Sequence, residues 1–197
     1  ITLWAVGNHP SGGSTANQGL MTGIIAQNNG GGLTRLGRFV LGQTNAIFCT
    51  TGIGLGIRGC SGWLGFNPSN APGSAAYFRD RAGTGRQTSW AIGNRLGAGS
   101  LANVSGELDF SQGTVDALVG TLGIAVSGVA NTTIGTVSFG AGTIDVNTLQ
   151  VGFQSGASGG PVQGTLNVSN TAVLKVNTSG VLGGMTGSPL AGTYFDD

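Results

Sequence analysis

Two cysteines are the residues of this chain best suited to covalent chemistry. Cys49 and Cys60 lie eleven residues apart across a glycine-rich segment. An even number of cysteines can close a disulfide in an oxidising compartment, whereas a metal site needs further ligands. The single histidine, His9, is distant from both in sequence. We therefore predict a Cys49–Cys60 disulfide, with two free thiols as the alternative, and we predict no metal and no other cofactor.

Paired carboxylates on one face of the protein could cleave a polysaccharide, with one acting as acid and the other as base. The spacing of the acids does not favour such a pair. Asp109 and Asp116 are seven residues apart, which is expected to place them on different faces. Asp145 aligns with Asn167 in the repeat described below, and not with a second acid. We predict no catalytic residue, and a polysaccharide-active enzyme is only a distant alternative.

Asparagine side chains could carry sugar where they begin an Asn-x-Ser/Thr sequence. In a chain so rich in Asn, Ser and Thr, several such sequences are expected by chance. Sugar on exposed loops would nevertheless help to keep a protein with few charges dispersed. The candidate glycosylation sites are Asn103, Asn131, Asn167 and Asn177.

Charged residues are scarce and unevenly distributed. They make up 8% of the chain, against roughly 25% in ordinary soluble domains. Residues 1–100 have a net charge of +6 and residues 101–197 have −5, which predicts a basic end and an acidic end. The arginines are not interleaved with aromatic residues, so we predict no nucleic-acid partner. A surface with so few charges is typical of proteins that pack against copies of themselves or lie on a cell surface.

A short phrase, Gly-Thr-apolar-polar-apolar, recurs in the second half of the chain and indicates a repeat. Gly120, Gly142 and Gly164 each begin such a phrase, and the interval between successive copies is constant at about 22 residues. Alternation of apolar and polar residues is the pattern of a strand with one buried face. Three strands of about seven residues make one such period, which is typical of a coil in a stacked architecture.

These strands predict an all-β fold: a right-handed parallel β-solenoid, or β-helix, with three sides and about 22 residues per coil. Residues 1–197 would form one elongated domain, with the most regular repeats at 88–183 and less regular coils and loops at 1–87. No run of 18 apolar residues occurs, so we predict no membrane span.

The period also predicts which side chains share the core. Leu122 would stack on Ile144 and then on Leu166, each one period from the next. A second column would place Val115 on Val137. The third side cannot be placed in register from the sequence. The predicted core columns contain Val115, Leu122, Ile124, Val137, Phe139, Ile144, Val146, Leu166 and Val168.

Outward threonines on a flat solenoid face would suit ice binding if two of them occurred on every coil. Thr121, Thr143 and Thr165 would form one such column. The second column is missing, because Asp145 and Asn167 occupy two of its positions. A ladder of hydrogen bonds along the stack is the simpler role for this threonine column.

Several segments of the chain resemble bacterial autotransporter-associated β-strand repeat proteins. They are Trp90–Gly93, Gly113–Val119, Gly142–Gly152 and Gly164–Val168, and the similarity is clearest over residues 88–183. The resemblance implies a parallel β-helix that is secreted or displayed on a cell surface.

Taken together, these features predict an extracellular structural protein, not an enzyme, whose copies join head to tail in a filament or surface layer. An end coil without a cap exposes backbone groups that another strand can pair with. A monomeric surface adhesin that binds glycans or matrix is the alternative. The residues expected at the joint between copies are Ile1, Leu3, Trp4, Val6, Tyr194 and Phe195.

Overall fold

The chain folds into one stack of parallel coils, and all its regular elements in the described residues are strands. A computed structural model describes residues 3–8, 36–57, 61–95, 103–128, 131–155, 160–185 and 188–189. Within these ranges no helix has the length and hydropathy that crossing a membrane requires.

Twelve strands belong to a single sheet. They are β1 (Leu3–Asn8), β2 (Leu36–Leu41), β3 (Thr44–Phe48), β4 (Gly52–Ile57), β5 (Ser61–Phe66), β6 (Ala75–Arg79), β7 (Gln87–Arg95), β8 (Val104–Phe110), β9 (Thr114–Ser127), β10 (Thr133–Gln154), β11 (Val162–Met185) and β12 (Ser188–Pro189).

The strands pair in three ladders that repeat in the same order along the chain. Ladder A joins β1, β4, β7 and the last parts of β9, β10 and β11. Ladder B joins β2, β5, β8 and the first parts of β10 and β11. Ladder C joins β3, β6, the first part of β9 and the middles of β10 and β11. The predicted parallel β-solenoid is confirmed, whereas its right hand, its three-sided cross-section and its extent as one domain stay predictions.

The predicted coil length is wrong, because a full coil is longer than the sequence period. Ile144 pairs with Ala117 and Leu174, and not with Leu122 or Leu166. The Gly-Thr phrase occurs in all three ladders, so a step of one sequence period leads from one ladder to another. A complete coil also contains the connection from ladder A to ladder B, such as residues 155–161 between the last part of β10 and the start of β11.

The side chains of the core nevertheless follow the predicted alternation. Seven of the predicted residues are at most 1% exposed: Val115, Leu122, Ile124, Val137, Phe139, Ile144 and Val146. Leu166 is half-buried and packs against the core. Val168 is 42% exposed, so its assignment to the core is wrong. Both exceptions lie in β11, the last strand of ladder B, which has β10 on one side only.

The buried residues include the polar side chain of Gln87. Gln87 is 0% exposed, and its amide nitrogen donates to the carbonyl oxygens of Ile47 at 3.1 Å and Arg79 at 3.0 Å. Its amide oxygen accepts a hydrogen bond of 2.6 Å from the indole nitrogen of Trp90. Trp90 packs edge-on against Phe78, with ring centroids 4.9 Å apart. A buried amide is tolerated here because each of its polar atoms has a partner.

The strands of ladder A share a backbone irregularity shortly before they end. Five successive strands of ladder A adopt positive φ at equivalent positions, namely Gly56, Gly93, Ala125, Gly152 and Gly183. On the opposite wall, a Cβ on Gly135 would collide with the backbone nitrogen of Ala125 and the carbonyl oxygen of Ile92. The glycines of ladder B are thus required by the close approach of two backbones and not by an unusual φ.

Candidate functional site

Strand β11 forms the last coil of the described stack. It pairs with β10 along its length, from Val162 opposite Thr133 to Met185 opposite Gln154. Its other side, here called the free edge, pairs only with β12 at 184–185 among the described residues. The remaining backbone groups on the free edge have no strand partner in the described part of the chain. Such a row of donors and acceptors is a template for pairing with another chain.

The inward side chains of β11 are less covered than those of the preceding coil. Leu174 follows Ile144 in ladder C, and Leu166 follows Val137 in ladder B. Ile144 and Val137 are 0% exposed, whereas Leu166 and Leu174 are half-buried although they pack against the same core. An apolar row therefore runs beside the unpaired backbone groups.

The first coil has a similar character at the opposite end of the stack. Strands β1, β2 and β3 each pair with a single strand among the described residues, which is β4, β5 and β6 respectively. Phe39 and Ile47 are half-buried and pack against the core. Val40 and Phe48 are 41% and 43% exposed. Both ends of the described stack thus combine bare strand edges with apolar side chains.

The described end coils do not carry the opposite charges that the sequence predicts. Lys175 is the one charged residue in 160–185, and Arg38 is the one charged residue in 3–8 and 36–57. Asp196 and Asp197 lie outside the described residues. Most acids of the second half belong to interior coils, where two of them pair with arginines of the first half. Charge therefore does not distinguish the two ends within the described chain.

One of these ion pairs, the Arg86–Asp145 clasp, joins a residue just before β7 to a residue of β10, although β9 lies between those two strands. The two guanidinium NH₂ groups of Arg86 hold Asp145: one lies 2.6 Å from carboxylate oxygen Oδ1, and the other donates to the Asp145 carbonyl oxygen at 2.5 Å. Asn177 donates a further hydrogen bond of 2.7 Å to Oδ1. Although partial burial raises the pKa of Asp145, the hydrogen bonds from Asn177 and Arg86 and the charges of Arg86 and Lys175 hold it below its ordinary value.

A tight turn after β6 positions Arg86. The carboxylate of Asp80 accepts hydrogen bonds from the backbone nitrogens of Thr84 at 3.2 Å and Gly85 at 3.0 Å. The hydrogen bond from Gly85 has the largest effect on the pKa of Asp80, and both bonds lower it. They do so because they stabilise the charged carboxylate. Asp at the start of a turn and glycine within it, here Asp80 and Gly83, favour such a geometry. The turn returns the chain to β7 with Arg86 beside ladder C.

The second pair joins Arg79 of β6 to Asp116 of β9. One guanidinium nitrogen of Arg79 lies 2.8 Å from the carboxylate oxygen, and a second nitrogen donates to the Asp116 carbonyl oxygen at 3.0 Å. The guanidinium also lies 3.9 Å from the ring centroid of Tyr77. The Arg79 side chain is only 9% exposed, so this pair is part of the structure of ladder C.

Two of the three acids named as catalytic candidates are engaged by arginines. Asp116 has Thr143 and Asp145 has Lys175 as neighbours in the next coil, so neither acid faces a second carboxylate there. The third, Asp109, accepts a hydrogen bond of 3.0 Å from the backbone nitrogen of Ser111. Residues 3–8, 36–57, 61–95, 103–128, 131–155, 160–185 and 188–189 contain no cluster of three or more His, Cys, Asp or Glu residues able to hold a metal ion.

Two outward aromatic rings are covered by arginines. The guanidinium of Arg38 lies 4.0 Å from the centroid of Trp63, and Arg79 covers Tyr77 as described. Sugar-binding sites commonly use an open aromatic face. These two rings each have one face occupied by a cation.

The predicted threonine column is not formed. Thr121 pairs with Thr148 in ladder A, Thr143 with Asp116 in ladder C, and Thr165 with Thr136 in ladder B. The three residues therefore face three different surfaces. The error has the same origin as the predicted coil length.

The candidate glycosylation sites lie on the surface of the described chain or close to it. Asn103, Asn167 and Asn177 are exposed and Asn131 is half-buried. The Asn167 amide nitrogen donates to the Ser138 hydroxyl at 3.0 Å. Glycosylation stays a prediction.

The predicted disulfide also stays a prediction, because Cys60 lies outside the described residues. Cys49 is a free, buried thiol in the structure, and its sulfur donates a hydrogen bond of 3.4 Å to the carbonyl oxygen of Gly52. Burial raises the pKa of the Cys49 thiol, which keeps it protonated and unreactive at neutral pH.

The predicted joint residues divide into two groups. Ile1, Tyr194 and Phe195 lie outside the described residues. Leu3, Trp4 and Val6 belong to β1, where they pair with Gly52, Ile53 and Leu55 of β4. The first strand is therefore part of its own sheet and is not a free arm that completes a neighbour's sheet.

Two elements of this arrangement escaped the sequence analysis: the ion pairs across ladder C and the 24-residue edge strand β11. The signal for the ion pairs is the opposite charge of the two halves, since a solenoid can pair such residues across coils.

No protein family, curated protein or solved structure matches this chain.

Proposed function

We propose that this protein is an extracellular structural protein whose copies join head to tail through their end coils and build a filament or surface layer. The free edge of β11 carries the proposal: over residues 162–183 it combines backbone groups that pair with no described strand and the half-buried side chains of Leu166, Leu174 and Leu182. Contacts between unlike ends do not close on themselves unless their rotation forms a ring, so they propagate. The role is structural and not catalytic.

The low charge of the chain supports the same proposal. Soluble monomers normally protect an edge strand with charged side chains, proline, bulges or a covering element. Between residues 160 and 185 the sequence has a single lysine, and its one proline, Pro161, precedes β11. The irregularities that β11 does contain are two register shifts against β10, after Val168 and after Val176. They leave the stretches 162–168 and 171–176 regular. An extracellular or cell-surface location and the resemblance to autotransporter repeat proteins stay part of the proposal.

A pair of neighbouring lysine substitutions tests whether the free edge is the contact. Leu174→Lys places a charge in the inward row at the joint, where half-burial lets its ammonium group reach water in the single chain. Val173→Lys, on the outward face at 45% exposure, is the matched control. We expect the parent and Val173→Lys to elongate in negative-stain images and light scattering. Leu174→Lys should keep the parent circular dichroism but remain dispersed.

The opposite results would overturn the proposal. If the parent protein stays monomeric at all concentrations in sedimentation, it does not assemble. If Leu174→Lys elongates like Val173→Lys, the end coil is not the contact.

A further inference from the structure

We infer that the joint between copies continues ladders B and C in register, with the β2 and β3 strands of one copy pairing to β11 of the next. This inference rests on the proposed head-to-tail assembly and specifies its geometry. Each end of the described stack presents the same ladders in the same order along the chain. A second copy can therefore add its first coil where a further coil of the same chain would lie.

The inward rows of the two ends match ladder by ladder. Phe39 lies in the ladder B column that ends at Leu166, and Ile47 lies in the ladder C column that ends at Leu174. All four are half-buried and pack against the core of their own coil. In-register stacking would place Phe39 on Leu166 and Ile47 on Leu174, and would bury both rows as the interior coils are buried.

Ladder A contributes less to this joint. Strand β12 folds back antiparallel on the end of ladder A, where Gly184 pairs with Pro189 and Met185 with Ser188. That hairpin occupies the free edge of ladder A at those two residues. The free edges of ladders B and C, at 162–168 and 171–176, pair with no described strand. The bare part of the last coil therefore corresponds to the strands β2 and β3 of an incoming copy.

A parallel joint between unlike ends fits these observations better than a two-fold joint between two last coils. Apart from β11 with β12, every strand pair in the described sheet is parallel. A two-fold joint would pair β11 with its own copy in the antiparallel sense and would leave the outer edges of β2 and β3 without a described strand partner at both outer ends. The parallel joint covers both kinds of end at every contact.

Cysteine pairs placed in outward columns report the register. Val40 and Asn167 lie in one outward column of ladder B, and Ala46 and Val173 lie in one outward column of ladder C. All four side chains are exposed. Within one chain the members of a pair are four coils apart, about 19 Å at 4.8 Å per strand, which is too far for a disulfide. Across the proposed joint they would be one strand apart.

The experiment mixes two variants, each with one added cysteine, under mild oxidation, and the parent protein is the control for Cys49 and Cys60. Matched mixtures combine Val40→Cys with Asn167→Cys, or Ala46→Cys with Val173→Cys. Mismatched mixtures exchange the partners. We expect the matched mixtures to give at least about tenfold more cross-linked dimer, because only they hold the two thiols at high effective concentration.

Each other outcome overturns the inference in a recognisable way. Cross-linking in the mismatched mixtures would mean that the copies are rotated by one ladder. Cross-linking of Asn167→Cys with itself would mean a two-fold joint. Assembly without any cross-link would refute the register but leave the proposed function standing, whereas absence of both assembly and cross-link would refute both.

Discussion

Ladder C passes through two environments, one in the interior of the stack and one at its end. Ile144 has Ala117 on one side and Leu174 on the other, and is 0% exposed. Leu174 has only Ile144 beside it in the described chain and is half-buried. The two residues share an alternation pattern and a column, so the difference comes from the missing neighbour. In a solenoid each coil is stabilised by the coils on both sides, and the end coil is the least stable part.

The largest expected loss of stability comes from an aspartate in the interior position, Ile144, compared with an aspartate in the end position, Leu174. Ile144→Asp buries a carboxylate without a partner and should cost about 3 to 5 kcal/mol of unfolding free energy. Leu174→Asp keeps contact with water and should cost about 1 to 2 kcal/mol. Urea unfolding of both variants at a concentration that keeps them dispersed measures the two losses. Equal losses would contradict the distinction between interior and end.

The glycines at the end of ladder A provide a second comparison. Gly93 has φ of +64°, and a Cβ there would collide with the carbonyl oxygen of Ile134. Gly152 has φ of +62° but its nearest neighbour would be the backbone nitrogen of Gly164 at 3.6 Å, an ordinary contact. Ala125 already occupies this column with φ of 52°. Gly152→Ala should therefore cost about 1 kcal/mol.

Gly93→Ala combines the cost of a positive φ with a collision between the new methyl group and backbone atoms. It should therefore lower the unfolding free energy by about 3 kcal/mol or more. Thermal unfolding followed by circular dichroism measures both variants. Similar shifts in the midpoint would show that the two walls of an interior coil can separate to admit a methyl group.

Replacing Arg95 tests whether the protein becomes more stable when a buried polar side chain is removed from an interior coil. It is 3% exposed, and its Nε and Nη1 atoms have no hydrogen-bond partner in the described structure. Burial lowers the pKa of Arg95, because the charged form is poorly solvated there. Arg95→Met should raise the unfolding free energy by about 1 to 2 kcal/mol. Arg86→Met, which breaks the clasp, is the contrasting variant and should lower it in the same urea titration.

The smallest expected effect is the pH dependence of the Arg86–Asp145 clasp. The folded pKa of Asp145 lies below its ordinary value, so its contribution to stability is fully present above that value of about 3.9. It is lost as the pH falls from there through the folded pKa. Asp145→Asn should remove up to about 1 kcal/mol at pH 7 and flatten the acid limb of the stability curve. An unchanged acid limb would show that the clasp contributes nothing measurable.

The sequence predicted the kind of fold because side-chain alternation is local and every strand repeats it. Seven of the nine predicted core residues are buried for this reason. The coil length could not be predicted in the same way. The Gly-Thr phrase occurs in all three ladders, so Gly120, Gly142 and Gly164 are similar in sequence but belong to different ladders. Only the pairing of strands distinguishes them.

The sequence could predict that an end coil would offer a strand edge, but not which strand it would be. Any solenoid without caps has exposed edges at its ends. The identity of the described edge strand, β11, depends on which strands pair with each other. The sequence pointed to opposite charges as the attraction between ends. Two arginines of the first half pair with acids of the second half within the chain, Arg79 with Asp116 and Arg86 with Asp145, because coils far apart in sequence are adjacent in space. Asp196 and Asp197 lie outside the described residues, so the attraction between ends stays a prediction.

The Arg86–Asp145 clasp also bears on how the molecule should respond to force. A pull on the last described strand would peel β11 from β10, and then the last part of β10 from β9, one hydrogen-bonded row after another. The rupture would then reach Asp145, whose carboxylate and carbonyl oxygens are both held by Arg86, a residue 59 positions earlier. We expect the force–extension curve to show an additional small step at this point, because the clasp contributes no more than about 1 kcal/mol. In a joined fibre, the clasp would thus fasten an interior coil to the coils before it even when an end coil has been lost.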